Sequence, residues 1–157
     1  MVTLGLTRAP TPTGDERLSF DWPLPRMALT SPFGSRQDPM RRAHAQFHLG
    51  VDLGAPYGAL VRAIASGRVI QAGWHRGHGR QVCIAHRAAF VSCYAHLAQL
   101  LVERDDEVSA GTVIGRVGSS GRSTGPHLHL ELRQGGLYLD PLAYLGESIL
   151  LSAEEIP

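Results

Sequence analysis

His127-Leu128-His129-Leu130-Glu131-Leu132, residues 127–132, alternates polar and apolar side chains without a break. In an extended chain, successive side chains point to opposite faces. The three leucines therefore face a core, and both imidazoles face the other side of the same sheet. Two imidazoles on one strand face stand about 7 Å apart along it, near enough to hold one metal ion or to share one reacting centre. By itself, such a strand could equally be a polar face that carries histidine incidentally.

An earlier stretch, His48-Leu49-Gly50-Val51-Asp52-Leu53, keeps the same period. It puts His48, Gly50 and Asp52 on one face, with Gly50 leaving open space between the two polar groups. Imidazole nitrogen and carboxylate oxygen both bind Zn²⁺, and two histidines with one carboxylate form a catalytic set that leaves a fourth position open. An Asp in such a run is often a cap or a salt-bridge partner, so the weight rests on the combination. The chain holds eight histidines, His44, His48, His75, His78, His86, His96, His127 and His129, more than packing needs.

Working outward, 157 residues fit one domain with a genuine core. With 18 Gly, 10 Pro and few aromatics, short apolar runs broken by turns point to a mainly β fold with a central antiparallel sheet. Strands are expected at 47–53, 60–64, 67–72, 81–86, 90–96, 112–118 and 127–133. A helical turn is expected at 97–102. Another is expected at 140–145, with Asp140 as cap and Pro141 at its first position. Residues 1–21 read as an arm rich in turn and polyproline material, 22–146 as the domain and 147–157 as a tail. The polar stretch 31–46 is too long for a simple turn, and ordered loops of that kind often serve function.

A net charge of +1 and scattered basic residues (Arg41-Arg42 is too short a cluster) argue against nucleic acid as a partner. No apolar run is long enough to span a membrane. No signal peptide is visible near Met1, so the chain is expected to be either cytoplasmic or a trimmed form of something longer. Cys83 and Cys93 lie in the two arms of one expected hairpin. A cross-strand disulfide is conceivable, but a one-residue change of register would separate them, and two small buried thiols are the expectation.

Taken together, the sequence resembles the lysostaphin-like family of cell-wall endopeptidases over residues 22–145. The resemblance is carried by Ser31-Pro32-Phe33-Gly34-Ser35-Arg36 with Asp38-Pro39, Gly50 to Pro56 (GVDLGAP), Tyr94-Ala95-His96-Leu97, Gly111-Thr112-Val113-Ile114-Gly115 and Gly118 to His129 (GSSGRSTGPHLH). It implies a lysostaphin-type fold with a loop-lined open groove, and one Zn²⁺ ligated by His48, Asp52 and His129. His96 and His127 would be the catalytic histidines beside the metal. Relatives without hydrolytic activity are expected to lack one of these groups, and this chain lacks none.

Arg36 resembles a groove-wall arginine that could meet a substrate carboxylate. Ser123 and Thr124 could form the opposite wall. Tyr94 shares a strand face with His96 by period two, so donation into the site and simple packing are both open. His78 stands where the family more often has other residue types, which bears on substrate preference. His86 is either structural or supports the site from behind, and His44 and His75 are expected to be bystanders. The implied substrate is the peptide part of peptidoglycan, either stem peptides or cross-bridges, which puts the expected location outside the cytoplasmic membrane. A monomer is expected. The alternative is a non-enzymatic zinc-binding regulator or activator of wall hydrolases on the same fold.

Overall fold

The computed structural model describes residues 17–36 and 46–151. The beginning of the arm, Asp38-Pro39, Arg41-Arg42, His44 and the last six residues lie outside them. In chain order the elements are β1 (Arg17–Ser19), β2 (Ala28–Ser31), β3 (Gly34–Arg36), β4 (Gln46–His48), β5 (Val51–Gly54), β6 (Leu60–Arg62), β7 (Gly67–His75) and β8 (Gly79–Ala85). There follow β9 (Phe90–Leu97), β10 (Gln99–Leu100), β11 (Glu107–Val108), β12 (Val113–Arg116), β13 (His127–Gln134), β14 (Leu137–Leu139), a 3-10 turn (Pro141–Ala143) and β15 (Ser148–Leu150).

The main antiparallel sheet runs β11-β7-β8-β9-β13-β5-β2, with β14 also paired to β13. The alternating stretch 127–132 lies in β13, between β9 and β5. Val82, Tyr94, Leu130 and Val51 are register neighbours across four strands, and all are buried. Together with Leu128 and Leu132, they form one face of the sheet. Each such side chain, fully withdrawn from water, contributes about 1.5–3 kcal/mol. A three-stranded sheet, β10-β12-β6, adds Val61 and Ile114 to the same core. The opposite face of the main sheet carries Asp52, His129, Glu131, Cys93, Cys83 and Gln81, and it forms the floor of the candidate site.

Several expectations are corrected. The stretch 47–53 is two strands, because the chain bends at Leu49-Gly50. Gly50 is buried and does not open space: a Cβ there would meet the Leu130 carbonyl oxygen at 2.3 Å. Its missing side chain lets the bend lie directly on β13. The expected helical turn at 97–102 is instead β10, paired with β12, and Leu101 N–H continues by donating to Ile114 O at 2.9 Å.

The stretch given to the arm joins the fold at its end. β1 pairs with β15, Leu18 and Phe20 are buried, and the Phe20 ring packs edge-on to Phe90 and Tyr144. Boundaries at 21 and 147 therefore leave outside the domain residues that pack within it. Cys83 and Cys93 form a disulfide, against the expectation of two thiols. The β8–β9 register sets them directly opposite one another, with Cα atoms 4.1 Å apart. The turn at Asp140 is as expected, its carboxylate accepting from Leu142 N–H at 3.0 Å.

Candidate active site

His48, Asp52 and His129 arrive from three separate strands, β4, β5 and β13. Antiparallel pairing sets Asp52 directly opposite His129. The bend at Gly50 carries His48 back over the same spot. Three atoms converge there: His48 Nε2 lies 3.3 Å from Asp52 Oδ1, His129 Nδ1 lies 2.9 Å from that oxygen, and the two nitrogens are 3.2 Å apart. Ligands at about 2.0–2.1 Å from a tetrahedral ion stand about 3.3 Å from one another, so the spacing suits one ion.

The hydrogen bonds behind these atoms fix which nitrogen is free. His48 Nδ1 lies 2.8 Å from the Pro32 carbonyl oxygen, which can only accept, so Nδ1 carries the proton and Nε2 turns its lone pair inward. His129 Nε2 lies 3.0 Å from Glu131 Oε1 and donates to it, leaving Nδ1 inward. A carboxylate behind a histidine is the arrangement that orients metal-ligating imidazoles. Two inward lone pairs beside a carboxylate need a cation between them, and without a metal a proton serves. Burial disfavours charge on His129, but hydrogen bonds to Asp52 and Glu131 outweigh it and raise its pKa to about 9. Asp52 is held well below the usual carboxylate range. Burial opposes this, and the hydrogen bond accepted from His129, with the His48 ring close by, overcomes it. The donor set therefore fits a divalent ion, which would take the place of that proton.

His96 and His127 flank the centre, their ring centroids 4.8 Å apart. His96 Nδ1 lies 2.8 Å from Ser120 O, and His127 Nδ1 lies 2.8 Å from Gly125 O. Both Nδ1 atoms donate to carbonyl oxygens, so each Nε2 is left as an acceptor. His127 Nε2 stands 3.8 Å from Asp52 Oδ1. Burial, followed by neighbouring imidazoles, pushes His96 below its ordinary pKa against the opposing Ser120 bond, and it is neutral at pH 7.

The backbone of His96 explains a correction. Between Tyr94 and Leu97 the strand carries two residues opposite Gln81 alone, and His96 has φ 60°. This β-bulge breaks the period of two. Tyr94 consequently points into the core, fully buried, while His96 turns to the site. The Tyr94 hydroxyl accepts from Ile64 N–H at 2.9 Å and from Ser92 Oγ at 2.9 Å. Burial raises its pKa to about 12. Tyr94 is not part of the site. His86, bonded to Ser66 O and Ser92 Oγ, lies behind that same core cluster and is structural.

The cleft over these residues has a volume of about 470 Å³ and is also lined by Gln46, Arg76, His78, Arg122, Ser123 and Thr124. Arg36 pairs its backbone with Gln46 in the β3–β4 ribbon at one wall. Ser123 Oγ lies 3.3 Å from His127 Nδ1 and donates to Gly125 O at 2.9 Å. It therefore steadies the loop that leads into His127. Sequence reasoning missed Glu131, whose carboxylate stands behind His129, and the wall residues Arg76 and Arg122. It also undervalued His78, which lies 3.6 Å from Glu131. The Glu131 signal was present in the alternation itself, since Glu131 shares the face of His129.

Known proteins share this arrangement of strands. The catalytic domain of lysostaphin from Staphylococcus simulans superposes with a TM-score of 0.68 at 31% identity, covering 75% of this chain and 91% of that one. A zinc-containing peptidase from Vibrio cholerae gives 0.73 at 32% identity, over 78% of this chain and 39% of its own. The DD-carboxypeptidase/endopeptidase Mpg of Neisseria meningitidis is 41% identical over 121 residues, 77% of this chain and 28% of that protein. The murein hydrolase activator EnvC of Escherichia coli is 40% identical over 97 residues, 62% of this chain and 23% of its own length. The chain thus spans only about a quarter of the length of these two relatives. The family profile described as Peptidase family M23 matches residues 46–141, well over half of the chain. By that match, this chain belongs to peptidase family M23.

Proposed function

We propose that the protein is a zinc-dependent endopeptidase that hydrolyses stem peptides or cross-links of bacterial peptidoglycan. The observation that carries this reading is the meeting of three inward donor atoms, 2.9–3.3 Å apart, beside two further histidines whose Nε2 atoms are free acceptors. His48 Nε2, Asp52 Oδ1 and His129 Nδ1 would hold the ion. A zinc ion held there would supply Lewis acidity to polarise the scissile carbonyl and to acidify water. His96 and His127 carry the proton traffic: an Nε2 accepts a proton from the attacking water and returns it to the leaving amine. Once protonated, the same ring steadies the oxyanion. Carbonyl acceptors at both Nδ1 atoms keep the rings in the tautomer this work needs. Ser123 and Thr124 line the cleft and, with Arg36 from β3, would contact the substrate.

Two further observations favour an extracytoplasmic setting. The disulfide at Cys83–Cys93 is a bond that persists in oxidising compartments. One relative named above is a murein hydrolase activator. Among the described residues no helix is long and apolar enough to cross a membrane. Every donor of the centre comes from one chain, so a monomer suffices.

A non-enzymatic activator of wall hydrolases is the second reading, favoured by the likeness to EnvC. Incubation with purified peptidoglycan, followed by mass spectrometry of soluble fragments, separates the two. The enzyme releases peptide-cleaved fragments alone, stops when chelated and resumes with zinc. An activator releases none alone and only accelerates an added hydrolase.

A further inference from the structure

The cleft differs in charge at its two ends. On one side Arg76 and Arg122 line it. They come from distant parts of the chain, one from the β7–β8 turn and the other from the loop before His127. Both are exposed, and among the described residues neither guanidinium has a hydrogen-bond or ion-pair partner. Their supports are locked together. Arg122 N–H donates to Gly77 O at 2.8 Å, Arg80 N–H donates to Ser120 Oγ at 3.0 Å, and a Cβ on Gly121 would meet Gly79 N at 2.4 Å. The two arginines are therefore mounted on a single rigid wall.

Asp52 is the only carboxylate lining this part of the cleft among the described residues, and its charge is committed to the centre. Beyond Asp52 and His127 the groove continues into a second hollow, walled by Thr30, Ser31, Thr124, Gly125 and Pro126. Among the described residues, the lining of that arm offers hydroxyls and backbone beside Asp52 and His127, with no Lys or Arg.

Resting on the peptidase reading above, we infer that the groove selects a peptide with a free carboxylate on one side of the scissile bond. Arg76 and Arg122 receive the carboxylate. Guanidinium groups suit this role because they offer paired donors to a carboxylate and remain charged at any working pH. A bridge made only of glycine gives the arginine wall nothing to bind.

The test uses the zinc-loaded protein and three synthetic peptides of the same length. One carries a free side-chain carboxylate on one side of the central bond, the second carries it on the other side, and the third has the carboxamide in its place. Affinity by calorimetry is read separately from cleavage. One of the two acidic peptides binds about tenfold more tightly than the carboxamide, as expected for a charge-assisted contact, and the preference shrinks as salt is raised. In the Arg76→Gln/Arg122→Gln double variant the acid and amide bind alike, while the zinc content is unchanged. Equal affinity for all three peptides in the wild type would overturn the inference, as would a preference that survives in the double variant. If the preference holds but no peptide is cut, the binding inference stands and the peptidase reading falls.

Discussion

His129 commits both ring nitrogens, Nδ1 toward Asp52 and His48, and Nε2 to Glu131. Replacing Glu131 with Gln keeps the shape but removes the charge behind the ring, so zinc affinity measured by competition with a chelating dye should fall about 10–100-fold. On the proposed reading, His96 and His127 touch the reacting groups without being ligands. His96→Ala and His127→Ala should each lower peptide release about 10²–10⁴-fold with zinc content intact, as loss of a proton-transfer group does. A variant that keeps full activity would remove that residue from the mechanism. At this scale the sequence was informative where period two held. His127, His129 and Glu131 share a face because β13 is regular. Tyr94 and His96 part company because a bulge with positive φ intervenes, and no pattern of apolar residues announces one. Arg76 and Arg122 were invisible as a pair, since only tertiary contact between two turns brings them to one wall.

Among the elements, β4, β5, β13 and β9 carry the site, and the pairing of the last three is what a mutation must spare. Gly50→Ala would drive a methyl into the Leu130 carbonyl and disrupt the bend that brings His48 to Asp52. Reduced zinc binding and a lower melting temperature should appear together, and a variant with wild-type values for both would contradict the account of that bend. Tyr94→Phe leaves the buried Ile64 N–H without its acceptor, at a cost of about 1–3 kcal/mol. Denaturant unfolding reads that loss, and zinc content should stay at one per chain because Tyr94 lies on the core face. The sheet order could not be read from the sequence, although most strands could. The alternation at 47–53 survives the bend and so reads as one strand, while β10 is too short to show a period, so that 97–102 reads as a helical turn. The disulfide required the β8–β9 register, which two cysteines alone do not specify.

For the whole molecule, the protons of the metal-free state set the pH dependence of stability. His129 has its pKa raised to about 9, so its contribution is complete below its ordinary value of 6.5 and is lost as pH rises through 9. His86 and His96 have lowered values, chiefly from burial. Below pH 6.5 the unfolded chain takes up protons that these folded histidines refuse, and stability falls again. The melting temperature of the chelated protein should therefore peak near pH 6.5 and decline on both sides. Once loaded, the protein should lose the alkaline decline, because the ion stands in place of the His129 proton. A flat profile for the chelated protein between pH 6 and about 9.5 would refute this coupling. The fold class is legible because it follows from alternation and turn spacing, whereas alternation puts His127 and His129 alike on one face, and only the family resemblance singles out His129 as a donor. The closing of the ends through β1 and β15 is not legible, since three-residue strands leave too little pattern.

Equilibrium dialysis of zinc against the wild type and five single alanine variants tests the central claim most directly. The account predicts one zinc per chain for the wild type, His96→Ala and His127→Ala, and none for His48→Ala, Asp52→Ala and His129→Ala. A stoichiometric zinc retained by any of the last three, or lost from either of the first two variants, would contradict it.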